Sequence, residues 1–161
     1  MRILYLDIEN TVIDSLMEPY FMDANIKRIR RFMESFGPQK VCLFTWGWKT
    51  HHEIEPALIN NIFDELHVEG TKRGEIYVKE DSVDVAIREG WLIQEDKGRA
   101  MEPGMMAEYG ISKPSCFQLF CQERPFDTSV LIDDLVDGPT NDNYQQLMHG
   151  SSQMLNPVTD L

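Results

Sequence analysis

Basic residues are scarce in this chain of 161 residues: 15 Lys and Arg stand against 27 Asp and Glu, a formal net charge of −12. Such a surplus repels polyphosphate backbones at long range and argues against a non-specific nucleic-acid binder, while leaving room for a small local basic cleft. The one basic cluster, Lys27 to Arg31, is expected on the solvated face of a helix. Cysteine is scarce too. Cys42, Cys116 and Cys121 form no Cys-x-x-Cys pair, and two of them sit in apolar surroundings that suit small buried hydrophobes. Free thiols fit a reducing compartment. No apolar run approaches the roughly eighteen residues a membrane helix needs. The N-terminus meets acids at Asp7 and Glu9 and shows no targeting pattern, so a cytoplasmic location with no membrane attachment is expected. Internal repeats and low-complexity segments are also missing. One domain, over residues 1–149, and one site are therefore the expectation.

What is present is an alternation of short apolar runs with amphipathic stretches. Residues 2–6 (RILYL) read as a buried strand, and 23–36 place Ile26, Ile29, Phe32, Met33 and Phe36 on one helical face, stopped by Gly37 and Pro38. A second strand is predicted over 40–46, and helical spacing returns at Ile54, Leu58, Ile59, Ile62 and Phe63. Short strands are expected at 65–70 and 75–78, a flap or small insertion within about 71–110, a helix at 116–122, a strand at 127–134 and a helix at 143–148. The tail over 150–161 has the composition of turns and disorder. This pattern predicts an α/β fold with a mostly parallel sheet. Three strands end in polar residues, at Asp7, at Thr45 and at the pair Asp133 and Asp134. Ligands of open parallel sheets bind beyond the carboxyl ends of the strands, so all three tips can face one crevice.

Those tips carry a resemblance. "DIENTVIDS" resembles the first motif of the haloacid-dehalogenase-like (HAD) superfamily, "VCLFT" its second, "GISKPS" its third and "VLIDD" its fourth, in the family's order. The resemblance implies a Rossmann-like three-layer α/β/α sandwich and a Mg2+-dependent phosphomonoester hydrolase working through an aspartyl-phosphate. Asp7 is then the nucleophile. Mg2+ is expected on Asp7, on the backbone carbonyl of Glu9 and on Asp134 with Asp133, with Asp137 as a third candidate acid. Thr45 and Lys113 are expected to grip the phosphoryl oxygens, with Asn10 and Trp46 as further substrate contacts. Lys49, Lys72 and Lys97 are rivals of Lys113 for that role.

One letter departs from the family pattern. Where its phosphatases carry a second Asp as acid and base, this chain has Glu9, whose extra methylene moves the carboxyl by about a bond length. Two readings follow: an active phosphatase whose loop accommodates Glu9, or a degenerate relative that binds a phosphorylated ligand or protein without turnover. The spacing from Thr11 to Thr45 leaves no room for a helical cap, and that from Thr45 to Lys113 leaves room for a minimal one. An open site suits a large phosphorylated substrate or closure by a partner subunit; a nucleic-acid end is disfavoured by the acidic charge. Trp46 and Trp48 are candidates for stacking at the cleft mouth, and His51 and His52 are given no role. The oligomeric state is not legible.

Overall fold

A computed structural model describes residues 1–134 and 152–161. Among these, five strands form one parallel sheet: β1 (Arg2–Leu6), β2 (Lys40–Phe44), β3 (Arg73–Tyr77), β4 (Thr128–Ile132) and β5 (Ser152–Leu155), in the order β3-β2-β1-β4-β5. The chain first adds strands on one side of β1 and then on the other. The crevice at that change of direction lies between the ends of β1 and β4.

Alternation along the strands feeds two cores. Ile3, Tyr5, Cys42, Phe44 and Leu131 point to one face, where α3 (Lys79–Arg88) and α6 (Lys113–Gln122) cover them with Val83, Ala86, Phe117 and Leu119. Leu4, Leu6, Val41, Leu43, Val130 and Ile132 point to the other, under α1 (Asp23–Phe36) and α2 (Pro56–Glu65). Each fully buried Leu or Ile contributes about 1.5–3 kcal/mol by leaving water. Helices therefore lie on both faces, and the fold is α/β. The three cysteines are buried and unpaired. Among the described residues no helix is long and apolar enough to cross a membrane.

Four differences from the sequence reading matter. Residues 65–70 form no strand: the backbone of α2 continues into a turn in which His67 takes a left-handed φ of 56°, so Leu66 and Val68 both reach the core from a bend. Residues 71–110 hold β3 and α3 themselves, followed by two short helices, α4 (Lys97–Ala100) and α5 (Met105–Glu108), whose Ala100 and Met106 are buried in the α3 and α6 core. The tail is not irregular throughout, because β5 completes the sheet beside β4 and buries Met154. Helix α6 starts three residues earlier than predicted, at Lys113. Ser112 caps it by accepting the Ser115 N–H at 3.2 Å, and Pro114 sits in the first turn, where its missing N–H costs nothing. Between Thr11 and Thr45 the one helix is α1, as the spacing predicts. The helix expected at 143–148 and the candidate Asp137 lie outside the described residues.

Candidate active site

Each of three strands runs out at a polar side chain. Asp7 follows β1, Thr45 follows β2 and Asp133 follows β4, and all three are buried. Ladder hydrogen bonds hold the tips in register: Asp7 N–H donates to the Ile132 carbonyl, Thr45 N–H to that of Tyr77 and Asp133 N–H to that of Leu155. Lys113 reaches the same point from the first turn of α6. Its Nζ lies 2.6 Å from Asp7 Oδ1 and 2.8 Å from Asp133 Oδ2, with only 5% of its surface exposed. Residues 106 positions apart thus share a buried ion pair. None of the rival lysines takes part in the Asp7 and Asp133 pairing: Lys97 pairs with Glu80 and Asp84, Lys72 lies by a cleft lined by Arg30, Pro38 and His67, and Lys49 lies near Lys79.

Asp7 is held through both oxygens. Oδ1 receives Lys113, and Oδ2 accepts the Thr11 hydroxyl at 2.9 Å. Thr11 is itself fully buried, and its carbonyl accepts the Asn25 side-chain amide at 3.1 Å, which ties the nucleophile candidate's loop to α1. Such a clamp fixes the carboxylate plane before any ligand arrives.

The electrostatics are unbalanced. Asp7, Asp133 and Asp134 place carboxylate oxygens within 4.8 Å of one another, facing one lysine. Burial, and then Asp133, push the Asp7 carboxyl well above the usual range against the pull of Lys113. The half-buried Asp134 is pushed up to about 6 by burial and by Asp133. Burial alone pushes the Lys113 ammonium down, but Asp133 and Asp7 overcome it and hold its pKa above the ordinary value. An all-oxygen donor set with surplus negative charge is the kind that holds a hard divalent cation. The chemistry open to such a site is attack by a fixed carboxylate on an electrophile whose negative charge a lysine and a cation offset.

Glu9 lies at the rim, half-buried, and its Oε2 accepts the Leu16 N–H at 3.3 Å. A Cβ added to Gly47 would stand 2.5 Å from Glu9 Oε1, 2.6 Å from Leu16 Cδ1 and 3.3 Å from Thr45 Oγ1. Gly47 is therefore where the longer acid finds its space. Thr45 Oγ1 accepts the Gly47 N–H at 2.9 Å, so the hydroxyl and the Glu9 carboxylate are brought to the same small region. Asn10 is exposed with a left-handed φ of 61°, and its N–H donates to Ile13, which makes it the residue that turns the chain after the acids.

The two tryptophans separate. Trp48 is buried in the core on the α1 and α2 face, whereas Trp46 is half-buried and lines a pocket next to Lys113, with its Nε1–H donating to Ser82 Oγ at 2.9 Å. His51 pairs with Asp81 at the surface. Sequence reasoning missed Thr11 as an orienting hydroxyl, although it lies within the first motif. It also missed Asn156, whose side-chain amide donates to the Asp134 carbonyl at 3.2 Å from the end of β5. No signal in the tail pointed there. Comparison of the chain with protein-family models, with curated proteins and with solved structures finds no match.

Proposed function

We propose that this protein is a Mg2+-dependent phosphomonoester hydrolase of the HAD type, with a minimal cap and an aspartyl-phosphate formed on Asp7. The observation that supports it most is the junction of Asp7, Lys113 and Asp133, joined by contacts of 2.6 and 2.8 Å with Asp134 beside them. Those are the acids and the lysine of three of the four motifs that carry the family resemblance. The strand order β3-β2-β1-β4-β5, with the junction at the change of direction, agrees with a Rossmann-like core.

In this reading an Asp7 oxygen attacks phosphorus as the bond to the leaving oxygen breaks, and Glu9 gives its proton to that oxygen. Glu9 then takes a proton from the water that cleaves the acyl phosphate, which frees phosphate and restores Asp7. Lys113 offsets charge on the phosphoryl oxygens, and Thr45 donates its hydroxyl to one of them. The metal fits the residues present: Asp7, Asp134, Asp133 and the carbonyl of Glu9 would hold it, and it would supply charge neutralisation for an anion approaching a phosphate. Hydrolysis of a generic aryl phosphate with Mg2+, abolished by Asp7→Asn, is the expected result. A well-folded protein that turns over no member of a broad phosphate-ester panel overturns the enzyme reading.

The second reading, phosphate binding without turnover, is favoured by one observation. The Glu9 carboxylate already accepts a backbone N–H from Leu16 and is packed over Gly47. Glu9→Asp separates the two. An increase in turnover marks a site handicapped by the longer acid; a loss marks a loop built around Glu, with Gly47 as its counterpart.

A further inference from the structure

Beside the Asp7 and Lys113 pair lies a pocket of about 180 Å3. Lys113 and Pro114 form one wall, Trp46 another, and Met106, Ala107 and Ile111 close it from α5 and the loop after it. The Trp46 ring is fixed by its hydrogen bond to Ser82, so this is a standing surface. Lys113 lines this pocket and also holds Asp7, so the pocket and the proposed phosphoryl site share one side chain. Drug-sized ligands occupy pockets of about 300–1,000 Å3, whereas a cavity of about 150 Å3 holds a single benzene ring. The volume therefore fits one ring with a substituent.

The wall also carries a charge that the proposed reaction does not use. Lys79 lines the pocket with only 4% of its surface exposed. Its ammonium donates to the carbonyls of Met101 at 3.1 Å and Glu102 at 2.8 Å, and no carboxylate pairs with it among the described residues. A buried ammonium is costly unless an anion answers it, and two carbonyls answer only part of its charge.

We infer that this pocket receives the leaving group of a compact phosphomonoester, an apolar ring or ring-sized body bearing a carboxylate or similar anion that pairs with Lys79. The inference rests on the phosphatase reading and narrows it: a pocket of this volume selects a small dianionic or trianionic metabolite-sized ester, in place of the large substrate that an open site would suit. Trp46 and Met106 supply the apolar contact, Lys79 the discrimination, and Lys113 the junction to the phosphoryl site.

Binding of phosphonates, which cannot be hydrolysed at the P–C bond by this chemistry, tests it by calorimetry in the presence of Mg2+. Methylphosphonate reports on the phosphoryl site alone, phenylphosphonate adds the ring, and meta- and para-carboxyphenylphosphonate add the anion. The ring is expected to tighten binding roughly tenfold or more from the apolar area it buries. The better-placed carboxylate adds a further several-fold. Ala107→Trp, an exposed position at the pocket mouth, should erase the gain from the ring, and Lys79→Met should erase the gain from the carboxylate. Methylphosphonate binding with no gain from the ring, or a gain that survives Ala107→Trp, overturns the pocket and leaves the phosphatase reading standing. A carboxylate gain that survives Lys79→Met overturns the role of Lys79. Absence of any methylphosphonate binding by the folded protein removes the phosphoryl site itself, and the inference falls with it.

Discussion

Lys79 and Lys113 are each the first residue of a ten-residue helix, each is about 95% buried, and both line one pocket at the carboxyl end of the sheet. A cation at a helix N-terminus opposes the helix dipole, so neither position suits an ammonium on local grounds. Their surroundings then diverge. Lys113 meets two aspartates, and its pKa stands above the ordinary value despite burial; Lys79 meets two carbonyls, and burial together with nearby Lys49 pulls its pKa down. One half of the cleft thus has surplus negative charge and the other a positive charge that no acid among the described residues answers. The difference teaches that burial of a lysine is not one phenomenon. Where acids converge, the ammonium holds the site together; where no described acid does, its charge is the one that the inferred ligand would answer.

The largest expected effect breaks the first half of that comparison. Lys113→Met leaves Asp7 and Asp133 buried without their counter-charge, and loss of one partner of a buried pair costs about 3–5 kcal/mol. Chemical denaturation at pH 7 without metal should show a loss of that size. Adding Mg2+ should recover part of the stability, but turnover should stay at least roughly a hundredfold down because the charge-offsetting donor is gone. A Lys113→Met protein as stable as the parent would mean that Asp7 and Asp133 are neutral in the fold.

A smaller effect measures the surplus itself. Asp134 has its pKa raised from 3.8 to about 6, chiefly by burial and then by Asp133. Between those values the folded state binds more protons at this position than the unfolded chain, so stability falls as pH rises. The metal-free parent should therefore lose stability relative to Asp134→Asn between about pH 4 and pH 6.5, with little further change above. Thermal midpoints of the two proteins across that window check it. Saturating Mg2+ should reverse the order at neutral pH, because only the parent has the full donor set.

How much of this was legible follows the range of the interactions. Helix α1 was readable to within a residue, since its apolar spacing and the left-handed Gly37 that ends it are local. Strands β1, β2 and β4 were readable as apolar runs, and the tips of all three fell where expected. At 65–70 the alternation of Leu66 and Val68 imitated a strand, yet both are buried from a turn that His67 makes possible. Strand β5 was lost because SQML has one buried apolar residue and sits at the edge of the sheet, where pairing with β4 decides the structure. Asp7, Lys113, Asp133 and Asp134 were found as a set by motif order, but Lys79 was not, because a lysine opening a helix has no mark of burial in one dimension. Nor did Gly47 signal its place under Glu9, a relation that exists only once the loops meet.

The smallest effect sharpens the second half of the comparison. Lys79→Met keeps the length of the side chain and removes a buried charge that no described acid answers, so the gain from discharging it offsets the two lost hydrogen bonds. Glu102 is exposed and Met101 partly so, and water can reach their freed carbonyls. The net change at pH 7 should stay within about 1 kcal/mol, against several for Lys113→Met. Its pH dependence carries the sign. With the folded pKa of Lys79 below 10.5, the unfolded chain holds more protons here on the alkaline side, and the parent should gain stability relative to Lys79→Met as pH rises toward that value. Denaturation curves at pH 7 and pH 9.5 measure the difference. A loss of 3 kcal/mol or more at pH 7, shrinking at alkaline pH, would give Lys79 an unseen acid partner, and the two halves of the cleft would then be alike.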